Sequence, residues 1–222
     1  MPETPPTTDD ARTTAGRRRA RKGEGELLRD EILDAAEQLL VEKGSTDAVT
    51  IRAVARAVGV SAPAIYLHFE DKDELFYETC RRVFDVLNSR LIVAFGDAEA
   101  TVAERMVRAG RAYIQFGLEH AGQYLVVFGS ANAHVQADPD ALMTDPGVQS
   151  FEMVTSAIEA GIELGEFRSD LDVAATAIAV WGGVHGVTQL LITKRGMERI
   201  EIPPDDQVID ATLTTLLDGL RG

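Results

Sequence analysis

The sequence predicts an all-α protein, with an N-terminal three-helix unit of helix-turn-helix type and a larger helical unit after it. Two observations carry this. Apolar residues recur at helical spacing from Glu26 onward, with no alternating strand pattern and no internal repeat. The breaks between helices fall at glycines, prolines and capping side chains. A third observation, the segment Gly59 to Leu75 (GVSAPAIYLHFEDKDEL), points to what the first unit is for.

The elements follow in order. Residues 1–25 are rich in Pro, Thr, Gly and Arg and lack apolar periodicity, so they read as a disordered basic arm. Ile32, Leu33, Ala36, Leu39 and Leu40 mark a first helix that Gly44 ends. Ile51, Val54, Ala55 and Val58 mark a short second helix, with Thr50 as its N-cap and Gly59 at a turn position needing positive φ. Ser61 is expected to cap a third short helix, which tolerates Pro63 in its first turn. Asp71 and Glu74 resemble a capping box opening a fourth helix that runs to about Phe95. Further helices are expected near 100–119, 121–135, 147–164, 170–194 and 206–220.

Composition narrows the class. The chain has 222 residues, 45% of them apolar, and a single cysteine, Cys80. One cysteine makes no internal disulfide, and the first 25 residues hold no apolar signal segment; both lead to the expectation of a cytoplasmic protein. Leu171 to Ile192 is long enough to cross a membrane. It carries Asp172, His185, Gln189 and three glycines, and is expected to be a helix buried on most of its faces. The net charge of −14 opposes nucleic acid as a whole, but residues 11–22 hold six positive charges and no negative one.

In the segment after Gly59, Val60, Ile65 and Phe69 are expected to point inward. Ser61, Ala62, Ala64, Tyr66 and His68 then face outward. Small residues at a helix start let its backbone approach base edges, and Tyr66 and His68 suit phosphate contacts. Lys72 adds a cation beside the free amides of a helix N-terminus. A structural surface would more often carry Glu and Lys where Tyr66, Leu67, His68 and Phe69 stand.

The stretch Thr50 to Phe76, TIRAVARAVGVSAPAIYLHFEDKDELF, resembles the N-terminal domain of the TetR family of bacterial transcriptional regulators. The matching features are Thr50, Ala55 with Gly59-Val60-Ser61, Ile65-Tyr66-x-His68-Phe69, and Lys72-x-Glu74-Leu75; the close match spans roughly residues 27–76. The resemblance implies that Thr50, Arg52, Tyr66, His68 and Lys72 hold DNA phosphates, and that Ser61, Ala62, Pro63 and Ala64 face the major groove. Many family members carry a long or basic side chain near position 62 or 63. Ala62 and Pro63 cannot hydrogen-bond a base, so methyl contacts, Arg52 and DNA shape are left to choose the sequence.

The resemblance also implies a homodimer with a ligand-responsive C-terminal domain. The expected organisation is an arm over 1–25, a DNA-binding domain over 26–76 with its helix-turn-helix about 50–69, and an effector-binding and dimerisation domain over 77–222. Trp181 and His185 in WGGVHG resemble the Trp-x-x-x-His-Gly motif of one C-terminal subclass. They join Tyr113, Phe116, Tyr124, Phe128 and Phe151 as candidate pocket residues, with Met153 beside them and plain core packing as the alternative. The small-residue face of Gly182, Gly183 and Gly186, with Leu190, Leu213 and Leu217, is the candidate dimer interface.

The expected function is a dimeric DNA-binding regulator, most simply a repressor released from a palindromic operator by a small apolar effector. The competing reading is a helical small-molecule-binding or carrier protein with a vestigial DNA domain, which the net charge favours. No cofactor, metal or catalytic residue is expected. His68, His120, His134 and His185 include no close pair, Asp138-x-Asp140 lacks the rest of a calcium loop, and Ser130 lies in no nucleophile elbow.

Overall fold

Thr50 and Gly59 bracket the shortest well-formed amphipathic helix of the chain, and the fold builds outward from it. The computed structural model describes residues 24–129, 145–194 and 203–221. Within these, α1 spans Glu24–Lys43, α2 Ile51–Val58, α3 Ala62–Ile65 and α4 Lys72–Phe95. Then come α5 (Val102–Glu119), α6 (Ala121–Gly129), α7 (Pro146–Glu163), α8 (Val173–Thr193) and α9 (Asp205–Arg221). No strand occurs among the described residues. The basic arm up to Gly23, Ser130, His134, Asp138 and Asp140, and the end of the helix expected over 121–135, lie outside them.

The caps explain the boundaries. Thr50 Oγ1 accepts from Ala53 N at 3.2 Å, and Gly59 closes α2 with φ of 82°. Asp71 caps α4 by accepting from Glu74 N at 2.8 Å, while the Glu74 carboxylate reaches back to Glu70 N, one residue short of the usual box. Thr101 and Glu104 form a full capping box on α5. Asp145 accepts from Gly147 N and Val148 N at the start of α7, where Pro146 takes the first position. Asp172 caps α8 through Ala175 N, which starts that helix three residues after the expected 170.

The third helix differs from expectation. Ser61 sits at the cap position, but its side chain makes no cap hydrogen bond. Pro63 has no N–H to give it, and Ala64 N bonds the Ser61 carbonyl at 2.9 Å instead. Regular α-helix ends at Ile65, and the chain turns on through His68 N to Ile65 O at 2.9 Å and Phe69 N to the same oxygen at 3.1 Å.

Two cores result. The N-terminal one gathers Ile32, Leu33, Ala36 and Leu40 of α1, Val54 and Ala55 of α2, Ile65, Phe69, and Leu75 and Phe76 of α4. The second contains Val83, Leu87 and Leu91 further along α4, with Tyr113, Ile114 and Phe116 of α5 and Val184, Val187 and Leu191 of α8. The boundary expected after residue 76 thus falls inside α4, so a continuous helix, not a linker, joins the two units. Arg29 to Glu78 and Arg82 to Asp34, both 2.9 Å, fasten α1 onto that helix.

α6 belongs to both cores. Val126 is buried in the N-terminal cluster, Tyr124 and Val127 in the C-terminal one. Its first turn lies against α1: a Cβ at Gly122 would stand 2.5 Å from Val41 Cγ1, and Gln123 donates to Glu37 at 3.1 Å.

Candidate functional site

The helix-turn-helix presents its expected contact residues on one exposed surface. Thr50, Arg52, Ser61, Pro63 and Tyr66 are exposed, and Ala64, His68 and Lys72 half-buried. Inward-pointing Ile65 and Phe69 are fully buried, with Val60 half-buried against the same core. Ala62 is also half-buried against it, so this residue is turned further from the surface than expected.

Lys72 is less free than expected. Its Nζ lies 5.3 Å from the Phe76 ring centroid, Asp71 takes the Glu74 amide, and Asp73 and Glu74 add negative charge to the first turn of α4. Two side chains escaped the sequence reading. Leu67 is the most exposed large apolar residue of the turn, at 72%. Arg56 is exposed one turn after Arg52, a cationic pair that i, i+4 spacing would have shown.

The C-terminal unit encloses a cavity of about 540 Å3. Its walls are mostly apolar and come from α4 (Phe84, Leu87, Leu91), α5 (Met106, Gly110), α7 (Phe151, Val154), α8 (Val180, Val184) and α9 (Leu213, Leu216). Of the expected pocket residues, Tyr113, Phe128, Phe151, Trp181 and His185 line it. Phe116 does not: it is 1% exposed and packs against His120 and under Arg90. Tyr124 does not either, but stands behind the wall in contact with residues that do. Met153 lines a separate pocket.

A polar cluster closes one side of the cavity. His185 Nδ1 lies 2.6 Å from Tyr124 Oη and 3.2 Å from Tyr113 Oη, and Trp181 Nε1 donates to Tyr113 Oη at 3.3 Å. Burial pushes the Tyr113 hydroxyl up to about 12 and raises that of Tyr124 as well, so both phenols stay protonated and can donate. Burial lowers the pKa of His185, which favours the neutral ring. With Nδ1 accepting from Tyr124, the ring proton belongs on Nε2. Cys80 lines the cavity too, but burial and then the Glu37 charge push its thiol up to about 11, which keeps it inert.

The outer surface corrects the dimer reading. Leu213 is 6% exposed and lines the cavity with Leu217, so both serve the protomer interior. The apolar ridge of α9 faces inward because α5 and α8 cover it; its outer face carries Gln207, Asp210, Ala211, Thr214, Thr215 and Asp218. Gly183 is likewise internal, with Leu216 against it. Gly182 and Gly186 have open space where a side chain would stand, and Leu190 and Ile178 are 47% and 57% exposed. α8 is therefore not buried on most faces: only 28% of its most apolar 18-residue window is buried, although its length and composition would suit a membrane span.

Among the described residues no group of three or more His, Cys, Asp or Glu is placed to hold a metal.

Comparison with known proteins gives two family matches. Residues 32–79 match the family described as bacterial regulatory proteins, tetR family, and residues 106–216 match the tetracyclin repressor-like C-terminal domain. The HTH-type transcriptional repressor KstR2 of Rhodococcus jostii (strain RHA1) is 31% identical over 174 residues, which cover 77% of this chain and 77% of that protein. The structure of the ketosteroid transcriptional regulator KstR2 of Mycobacterium tuberculosis superposes with a TM-score of 0.63 at 25% identity, covering 87% of this chain and 95% of that one. A protein of unknown function from Rhodococcus sp. RHA1 gives a TM-score of 0.72, also at 25% identity, over 88% of this chain and 96% of the other.

Proposed function

The chain belongs to the TetR family of DNA-binding bacterial transcriptional regulators, and on that premise we propose that it is a homodimeric, cytoplasmic repressor released from its operator by a small apolar effector. The observation that carries this reading is α6. One helix of nine residues packs Val126 into the DNA-side core and Tyr124 into the core around the cavity. A ligand pressing on Phe128 or on His185, which holds Tyr124, shifts α6 against α1 at Gly122 and Gln123. Packed cores answer such pressure by moving rigid elements, not by yielding locally. The spacing of two recognition helices then departs from the roughly 34–36 Å separation of successive major grooves.

On DNA, Thr50, Arg52, Tyr66, His68 and Lys72 hold phosphates, and Ser61, Ala62, Pro63 and Ala64 face the groove. Arg56 and Leu67 extend that surface. Ser61 has the strongest claim to a base or phosphate, because its hydroxyl is free of capping duty.

The cavity suits an apolar molecule with at least one hydrogen-bond acceptor, which His185 Nε2–H would meet. Its volume and lining, and the ketosteroid regulator among the relatives, make steroid-like ketones the first compounds to test. The second protomer would sit on the open face of α8, at Ile178, Gly182, Gly186 and Leu190.

A gel-shift against the gene's own upstream region tests the reading, with Tyr66→Phe and Arg52→Ala as variants. Salt-sensitive binding weakened by both supports it. Binding that ignores both sinks the docking. No binding at any salt favours the carrier reading, to which the net charge of −14 already leans.

A further inference from the structure

A second cavity, of about 530 Å3, lies across the α4–α7 seam from the first. Neighbouring residues on the two helices divide between them. Leu91 faces the first cavity and Ile92 the second; Val154 faces the first and Met153 the second. Phe95 lines both. It is the last residue of α4, half-buried, and Gly96 follows it. Helix ends are held by fewer backbone bonds than helix centres, so this ring is the part of the dividing wall most able to turn aside. Elsewhere the wall is pinned: Asn88 Nδ2 donates to Pro146 O at 2.8 Å, and Ser150 bonds Asn88.

The two cavities differ in chemistry. The second is lined by Arg105, whose Nε is buried without a hydrogen-bond partner among the described residues. Its guanidinium makes no ion pair among them either; the eight pairs present there involve other residues. Glu166 is near enough to feel its charge, but both Glu166 oxygens already accept backbone amides, Val102 N and Ala103 N, at 3.0 Å each. Glu152, the one carboxylate lining this cavity, is exposed to solvent. A buried guanidinium N–H without an acceptor is costly, and an anion in this cavity would satisfy it.

We propose that the second cavity is an anion subsite of the effector site, taking the charged group of a ligand whose apolar body fills the first cavity, with Arg105 as counter-charge and Phe95 between the two. The effector class this selects is an apolar acid, not a neutral hydrocarbon. The proposal rests on the first cavity being the effector site.

The test uses two fluorescent probes on the full-length protein. Anilinonaphthalene sulfonate has an apolar body and an anionic group; N-phenyl-1-naphthylamine has the same body and no charge. Arg105→Gln should weaken the sulfonate probe by roughly tenfold or more and the neutral probe by less than about twofold, and Arg105→Lys should restore part of the loss. An unchanged sulfonate affinity overturns the subsite. Equal weakening of both probes overturns it too, since it marks a structural role. Should Arg105→Gln not fold, salt decides on the wild type. Raising ionic strength from about 50 to about 500 mM should weaken the sulfonate probe alone, and equal responses refute the proposal.

Val107→Trp separates the two levels, because it fills the first cavity. If it abolishes neutral-probe binding, the effector-site reading stands whatever Arg105 shows. If the neutral probe ignores it, or never binds, that reading falls and the subsite with it.

Discussion

Ser61 and Thr50 are both small hydroxyl residues before a short helix, yet they do different work. Thr50 spends its oxygen on Ala53 N, whereas Ser61 keeps its own free because Pro63 offers no amide. Thr50→Ala should therefore cost about 1 kcal/mol of stability, read as a lower urea midpoint, and Ser61→Ala should cost much less. A loss of that size for Ser61→Ala would show that its hydroxyl caps α3 in solution. His185 gives a pH prediction. Its folded pKa lies below the unfolded value, so the unfolded chain binds the extra proton first. Its contribution to stability is complete above the unfolded pKa of about 6.5 and is lost as pH falls toward the folded value. Urea melts at stepped pH should show wild type losing more stability than His185→Gln over this acid range.

Helices meet most closely where a side chain is missing. A Cβ at Gly161 would run into the Phe167 ring, which is 3% exposed. Gly161→Ala should lower stability by roughly 1–3 kcal/mol, because that ring has nowhere to go. An unchanged thermal midpoint would contradict the packing. Gly122→Leu addresses function at the same scale. Its side chain would wedge α6 away from Val41 of α1, and operator affinity should change even though residue 122 is remote from the contact surface. Unaltered affinity in gel-shift would argue against α6 as the link. The helices themselves were largely legible, because caps such as Thr50, Asp71, Thr101 and Asp145 and breakers such as Gly59 act within a few residues of where they stand. The length of α3 was not: its hydroxyl cap was inferred from Ser61 alone, without counting which amides Pro63 leaves available.

At the scale of the molecule, the open face of α8 is the main unfinished surface. Ile178→Asp places a charge at the centre of that face, beside Gly182. It should convert a dimer of twice the 24.0 kDa chain mass into a monomer by light scattering and weaken operator binding with it. A variant that stays dimeric would move the interface elsewhere. The acidic chain makes operator binding depend on a small local set of cations, so affinity should fall as salt rises.

The sequence by itself determined the all-helical class, the helix-turn-helix and its exposed residues, because capping, turn chemistry and 3.6-residue periodicity are local. It also located Trp181, Tyr113 and His185 without their hydrogen bonds. Only the tertiary structure decided which apolar faces serve the core, the cavity or a partner. A leucine ridge looks the same in all three uses. Leu213 and Leu217 were assigned to an interface and belong to the cavity, whereas Ile178 and Leu190 on α8 stay open. The packing of α5, α8 and α9 around one another makes that choice, and it depends on contacts between residues far apart in the chain.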